Sequence, residues 1–304
     1  MDNNLQTKAG FVAIIGAPNA GKSTLLNALV GEKVAIVTHK VQTTRHPIRG
    51  IVTEGDAQFI FVDTPGIHKP RRGFDKAMVN SAWQTALDSD VVILLIDAMK
   101  GFREGELEIL DRAKQSKKPL FIALNKVDAI NKERLLPIMA QAQTLLGDKL
   151  LDVFAISAEK KKGLDAIFKQ VAKHLPVSPF LYDPETHSDQ PFARLLSEIC
   201  REQAFLMLHQ EIPYGLHVET LQIKTREDHS LEVHQNLIVE RDGHKGIAIG
   251  AQGATLKRIG SNAREEMTKA ANKLVHLFLQ VKVDPNWTNN KAMLQELGLE
   301  PSKE

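Results

Sequence analysis

The nine residues Gly16-Ala17-Pro18-Asn19-Ala20-Gly21-Lys22-Ser23-Thr24 constrain this chain more than any other stretch. Two glycines separated by four residues and followed by Lys-Ser form the pattern of a phosphate-binding loop. The apolar, β-prone run Phe11-Val12-Ala13-Ile14-Ile15 precedes it, and the helix-compatible run Thr24–Leu29 follows. The loop is therefore expected at a strand-to-helix turn, where backbone N–H groups and a helix N-terminus converge on an anion. Gly16 and Gly21 let the backbone curl around phosphate oxygens, Lys22 reaches the β- and γ-phosphates, and the Ser23 hydroxyl can ligate Mg²⁺.

Around the loop, short apolar runs alternate with helical patterns, which predicts an α/β unit with a mostly parallel sheet in three layers. Strands are expected at Phe11–Gly16, Ile48–Glu54, Ala57–Asp63, Val91–Asp97, Leu120–Asn125 and Asp152–Ser157. Helices are expected at Gly21–Val30, Phe74–Leu87, Gly105–Gln115, Lys132–Leu146 and Leu164–Leu175. Only Ile48–Glu54 and Ala57–Asp63, joined by Gly55-Asp56, should pair antiparallel. Prolines and small polar residues from Pro176 to Ser188 read as a linker. A smaller α+β unit follows, in the order α-β-β-α-α-β. The expected boundaries are 1–178, a linker over 179–190, a second domain over 191–284 and a tail over 285–304.

Three further motifs narrow the ligand. Asp63-Thr64-Pro65-Gly66 closes one predicted strand; the Asp can serve the Mg²⁺ shell and the Gly66 N–H the γ-phosphate. Asn125-Lys126-Val127-Asp128 closes another. The Asp128 carboxylate can accept from guanine N1–H and the exocyclic amine, a donor pair that adenine lacks. Asn125 can brace the loop, and the Lys126 stem can lie along the base. Ser157-Ala158 closes a third strand, with backbone in reach of guanine O6. All lie at strand C-terminal ends, where open α/β sheets bind ligands. The expected ligand is GTP, with Lys22 and Gly66 in the catalytic machinery.

With its Asn-containing phosphate loop and Asp-Thr-Pro-Gly motif, the first half resembles the translation-factor-related GTPases. The resemblance implies a switch at Val41-Gln42-Thr43-Thr44-Arg45-His46, in which Thr44, or alternatively Thr43, ligates Mg²⁺. Ile67 follows Gly66 where many signalling GTPases place a water-orienting Gln, so slow intrinsic turnover is expected. Arg45, Arg71 and Arg72 lie near the switches, and none is evident as an arginine finger. Asn19 either helps hold K⁺ beside the phosphates, as in potassium-stimulated relatives, or shapes the loop.

In the second unit, Gly250-Ala251-Gln252-Gly253 joins two helical segments, Lys245–Ile249 and Ala254–Lys273. Together with the element order, this resembles a KH domain of the bacterial, type II topology. Such a loop clamps a nucleic-acid backbone because it lacks side-chain bulk. A groove lined by Ile247, Ile249 and Ile259 is expected to take about four unstacked bases. Lys245, Gly246, Lys257, Arg258 and Arg264 complete the expected RNA-binding set, and residues 241–273 hold seven Lys/Arg against three Asp/Glu.

A GTPase domain followed by one C-terminal KH domain, with Gln42-Thr43-Thr44-Arg45-His46, Asp63–His68 and Trp287, resembles the Era family of bacterial GTPases. The resemblance implies binding to the 3′ end of 16S rRNA, action in 30S ribosomal subunit assembly, and peripheral association with the inner membrane. A membrane-associated cell-cycle signalling GTPase, with the KH fold serving protein contacts, is the competing reading. Composition bounds the rest. The 304 residues are 43% hydrophobic and carry a net charge of +2, with one cysteine, Cys200. That excludes an internal disulfide and fits a reducing, cytoplasmic setting. The charge is +6 over residues 1–178 and −4 over the remainder, so charge alone would not mark the second half as RNA-binding. A monomer is expected.

Overall fold

The computed structural model describes residues 6–70, 73–209, 212–290, 294 and 298–299. Two compact units emerge: residues 1–35, 44–189 and 298–304 in the first, and residues 36–43 and 190–297 in the second.

The first unit has the predicted α/β architecture. Its strands are β1 (Lys8–Ile15), β2 (Ile48–Glu54), β3 (Ala57–Asp63), β4 (Val91–Asp97), β5 (Leu120–Asn125) and β6 (Leu150–Ala155). They form one sheet in the order β2-β3-β1-β4-β5-β6. Only β2 runs antiparallel, in register Ile51 to Ile60 across the Gly55-Asp56 turn. β3, β4 and β5 are buried along their whole length, as strands covered by helices on both faces must be. Their side chains alternate between two cores. Phe59, Phe61, Ile93, Leu95 and Phe121 face one layer, and Val92, Leu94, Ile96, Ile122 and Leu124 face the other. Burying one such side chain contributes about 1.5–3 kcal/mol. The helices are α1 (Lys22–Val30), α2 (Gly73–Asp88), α3 (Glu104–Lys114), α4 (Lys132–Leu146) and α5 (Asp165–Val171). α5 ends four residues before the predicted Leu175, because the chain tightens to a 3₁₀ turn at Ala172–His174.

The proline-rich segment is not a loose tether within this unit. Gln58 has no accessible surface; its carbonyl accepts the N–H groups of Leu181 and Tyr182 at 2.7 and 3.0 Å, and its amide donates to Tyr182 O at 2.8 Å. The Ile51 N–H of edge strand β2 donates to His187 O at 2.9 Å, and the Arg49 guanidinium pairs with Asp189 at 2.7 Å. The segment therefore covers an edge that would otherwise expose ladder groups.

The second unit contains α6 (Phe192–Met207), β7 (Leu216–Thr225), β8 (Leu231–Val239), α7 (Asp242–Ile249), α8 (Ala254–Ala271) and β9 (Val275–Val283). The order is the predicted α-β-β-α-α-β. β8 is central, antiparallel to β7 and parallel to β9. Leu196, Ile199, Phe205, Val233, Leu237, Ile259 and Met267 build its core. Trp287 is wholly buried, donates its indole N–H to Gly215 O at 3.1 Å and stacks on His217. Most of the C-terminal tail, like Arg71 and Arg72, lies outside the described residues.

Candidate functional site

The phosphate loop leaves the C-terminal end of β1 and enters α1, where predicted. Close neighbours, backbone at Gly16 and a side chain at Gly21, explain its glycines. A Cβ on Gly16 would lie 2.5 Å from Leu95 O, and one on Gly21 would lie 2.3 Å from the Asn125 amide. Asn125 ties two motifs together: its amide donates to Ala20 O at 2.9 Å, and its carbonyl accepts the Ala158 N–H at 3.0 Å. Both it and Ser157 are buried, so this brace is fixed without a ligand.

Lys22 is buried under the loop and donates to Gly16 O at 3.2 Å and Ala17 O at 3.1 Å. Burial pushes its ammonium down to about 8, partly offset by the Asp63 carboxylate. Asp63 has no accessible surface, and burial raises it above the ordinary carboxylate range; Lys22, Ser23 and Thr44 oppose that shift. Its Oδ2 accepts the Ser23 hydroxyl at 2.6 Å and the Thr44 hydroxyl at 3.0 Å, and those hydroxyls lie 2.9 Å apart. Its Oδ1 is buried without a hydrogen-bond partner. Two hydroxyls and a carboxylate with an orphaned oxygen form an all-oxygen set that fits a hard cation such as Mg²⁺.

The neighbouring Thr43 is engaged elsewhere. Its hydroxyl donates to Lys40 O at 2.8 Å and lies 2.6 Å from the Thr38 hydroxyl. Within the second unit, the Arg201 guanidinium, paired with Glu198, donates to Thr43 O, while the Val37 N–H donates to Glu202 at 2.9 Å. Lys40 Nζ donates to Phe205 O and Leu208 O at the end of α6. The predicted switch therefore divides between Thr43 and Thr44. Sequence reasoning missed these partners in α6, because no local pattern links positions some 160 residues apart.

The second switch segment is anchored by its backbone. The Thr64 hydroxyl donates to Ile14 O at 2.8 Å, and the Ile67 N–H donates to Gly16 O at 3.0 Å. Gly66 packs on Pro18, where a Cβ would come within 3.0 Å of the proline ring and backbone. The Ile67 side chain is buried and presents no polar group.

At the base end, Asp128 is exposed, and the Ser157 hydroxyl bonded to it holds its carboxyl below the usual range. Lys126 takes a left-handed conformation, and its head group reaches Asn19 O and Asp97 Oδ2, both at 2.8 Å. The sequence reading did not include Asp97. It closes β4 as Asp63 closes β3, and that strand-end position was the available signal.

The second candidate surface surrounds Gly250-Ala251-Gln252-Gly253, between α7 and α8. Gly250, Gln252 and Gly253 all have positive φ, and the Gly253 N–H donates to Gly250 O at 3.1 Å. A Cβ on Gly250 would strike the Thr255 hydroxyl at 2.2 Å, whereas one on Gly253 would meet nothing within 4 Å. Ala251, Gln252, Lys257, Arg258 and Arg264 are exposed, and Gly246, Ile247, Lys245 and Ile249 have at least partial access. Ile259 is a correction. It has no accessible surface and belongs to the domain core, because its position on α8 points toward the sheet; the apolar groove side is left to Ile247 and Ile249.

Comparison with known proteins agrees with this geometry. Residues 11–126 match the family described as 50S ribosome-binding GTPase, and residues 211–288 match the KH domain family. GTPase Era of Dinoroseobacter shibae is 46% identical over 302 residues, covering 98% of this chain and 97% of that protein. GTPase Era of Mesorhizobium japonicum is 47% identical, covering 97% and 94%. A crystal structure of Era in complex with MgGDPNP and nucleotides 1506–1542 of 16S ribosomal RNA superposes with a TM-score of 0.91 at 36% identity, covering 96% of this chain and 99% of that one. A crystal structure of a point variant of Aquifex aeolicus Era bound to GDP·AlF₄⁻ superposes equally well, at 35% identity. A phosphate loop braced to the strand end at Asn125, followed by a complete KH fold, is thus matched along nearly the whole chain, and the protein belongs to the Era family of GTPases.

Proposed function

We propose that this GTPase binds the 3′ end of 16S rRNA through its KH domain and acts as a GTP-hydrolysing switch in assembly of the 30S ribosomal subunit. The observation that carries the proposal is the uncharged, doubly glycine-terminated loop between α7 and α8, exposed and flanked by Lys257 and Arg258. It occurs in a chain similar over nearly its full length to one solved with that RNA. The loop would lie against the sugar-phosphate backbone, and Ile247 and Ile249 would face unstacked bases.

In the first unit, Gly16–Thr24, Asp63–Gly66, Asn125, Lys126, Asp128, Ser157 and Ala158 form the GTP pocket. Ser23 and Thr44 would hold Mg²⁺, with Asp63 bracing both; when bound, the ion neutralises charge on the β- and γ-phosphates. The Thr44 hydroxyl on Asp63 favours Thr44 over Thr43 for this role. Lys22 exchanges its loop carbonyls for phosphate oxygens, and the Gly66 N–H meets the γ-phosphate. Asn19 is exposed beside this site. If it helps hold K⁺, turnover at saturating GTP is faster in potassium than in sodium; equal rates leave it a loop-shaping residue.

Cytoplasmic placement fits the single buried thiol of Cys200. Among the described residues no helix is long and apolar enough to cross a membrane. The functional test is ultraviolet crosslinking in cells followed by mapping of the captured RNA. Crosslinks concentrated at the 3′ end of 16S rRNA are expected; a capture without 16S rRNA overturns the proposal.

A further inference from the structure

The sheet of the KH domain has a second face, turned away from its three helices. Leu231, Val233, Leu237 and Val239 of β8 and Val275 of β9 point into the core. The alternate positions form the other face: Glu232, His234 and Asn236 on β8, and His276, Phe278, Gln280 and Lys282 on β9, directly paired in register. Gln222 and Lys224 of β7 continue this row opposite His234 and Glu232. One end of the face is closed, where His217, paired with Ile238, lies under Trp287. The other end is open.

The composition of the open end is unusual for a merely solvated sheet. Phe278 is 46% exposed, yet it stacks on His234 with ring centroids 4.7 Å apart and planes 10° from parallel. The His234 ring is fixed from below by Glu232 at 2.9 Å, and Glu232 is itself held by Arg226 at 2.7 and 2.9 Å. The stack is therefore preorganised, and its outer side is accessible. Three carboxamides, Gln222, Asn236 and Gln280, surround it, and this side-chain type reads base edges. The face carries Glu219 and Glu232 beside Lys224, Arg226 and Lys282, with Asp228 close to His276 and Arg226 at the open end, and Arg226 pairs with Glu232.

We propose that this face is a second RNA-binding surface, on which an unstacked base of single-stranded RNA packs against Phe278 while the carboxamides meet its edges. Aromatic residues on an open sheet are a general device for holding single-stranded RNA. A fixed aromatic stack flanked by carboxamides and cations suits an unstacked base better than an apolar partner protein. The inference rests on the RNA-binding reading above and extends the contact beyond the about four nucleotides that a KH loop clamps.

Two RNAs from the 3′ region of 16S rRNA, about five and about fifteen nucleotides long, separate the two surfaces in fluorescence anisotropy with the full chain. Phe278→Ala should weaken the longer RNA by about fivefold or more, the range for loss of one base stack, and leave the shorter one unchanged. Phe278→Tyr should restore the parent affinity. Equal affinity of parent and Phe278→Ala for the longer RNA overturns the proposal. So does an equal loss on both RNAs, which reports a general disturbance of the domain. If the parent retains the longer RNA while Phe278→Ala releases a protein partner instead, the face serves protein contacts. If the parent binds neither RNA, the reading of the loop fails as well.

Discussion

The GTP pocket and the KH loop, each proposed above to hold a phosphate-rich ligand, are built in opposite ways. The pocket is tied together by side chains, several of them buried: Asn125 bridges two loops, Lys126 joins Asn19 O to Asp97, and Asp63 gathers Ser23 and Thr44. The KH loop relies on backbone, with exposed cations around it rather than a braced polar network. A preorganised site loses much when one group is removed, since the groups left behind are buried and unpaired. A backbone clamp is insensitive to truncation and sensitive to added bulk or charge.

The largest effect is expected at Lys22. Lys22→Ala should weaken nucleotide binding by about 3 kcal/mol, roughly 10²-fold, since it removes a charge-assisted partner of the phosphates and frees Gly16 O and Ala17 O. RNA affinity should not change. Equilibrium titration with fluorescent GDP measures this, and parent affinity in the variant would break the pocket side of the comparison. Next is Asp128→Asn. The amide replaces an acceptor pair with one acceptor and one donor, so GTP affinity should fall by about tenfold or more while xanthosine triphosphate gains. Competition between the two nucleotides reads this, and an unchanged preference for GTP removes Asp128 from the base site.

Effects on stability rather than on nucleotide binding sharpen the other side. Gly250→Ala and Gly253→Ala add the same methyl to positive-φ positions, but only the first meets Thr255. Gly253→Ala should cost about 1 kcal/mol, the strain of the left-handed conformation alone. Gly250→Ala should cost more, about 2–3 kcal/mol, because an overpacking contact is added. Thermal melting of the two variants compares them directly; equal losses would mean that Thr255 moves aside freely.

The pocket was legible because each of its motifs is a short, contiguous string at a strand end. Gly16–Ser23, Asp63–Gly66 and Asn125–Asp128 each carry their chemistry within a few residues, and the strand runs that position them are unbroken apolar stretches. β2 to β5 match their expected bounds to the residue, whereas β1 starts earlier, at Lys8, and β6 spans Leu150–Ala155 rather than Asp152–Ser157. The KH order was legible from periodicity, but the facing of Ile259 was not. An Ile one turn into an amphipathic helix fits either the groove or the core, and only packing decides. The covering of β2 by the proline-rich segment was also hidden, since Gln58 gives no sign in sequence that its carboxamide is buried and fully bonded. Arg201 and Lys40 were hidden by chain separation. The sequence reports local chemistry well and says little about which distant backbone a polar side chain will meet.

The central claim is that one chain carries a GTP pocket and, separately, an RNA clamp built from backbone. Gly253→Asp tests it most directly, because the structure leaves open space at that Cβ and the change adds charge to the loop without a steric clash. The measurement is the affinity of the full chain for RNA from the 3′ end of 16S rRNA, with GTP affinity and circular dichroism recorded on the same preparation. The account predicts an RNA affinity at least about tenfold lower, or ~1.4 kcal/mol, from like-charge repulsion at the phosphate backbone, with GTP binding and fold at parent values. A folded variant that holds this RNA as tightly as the parent would contradict it.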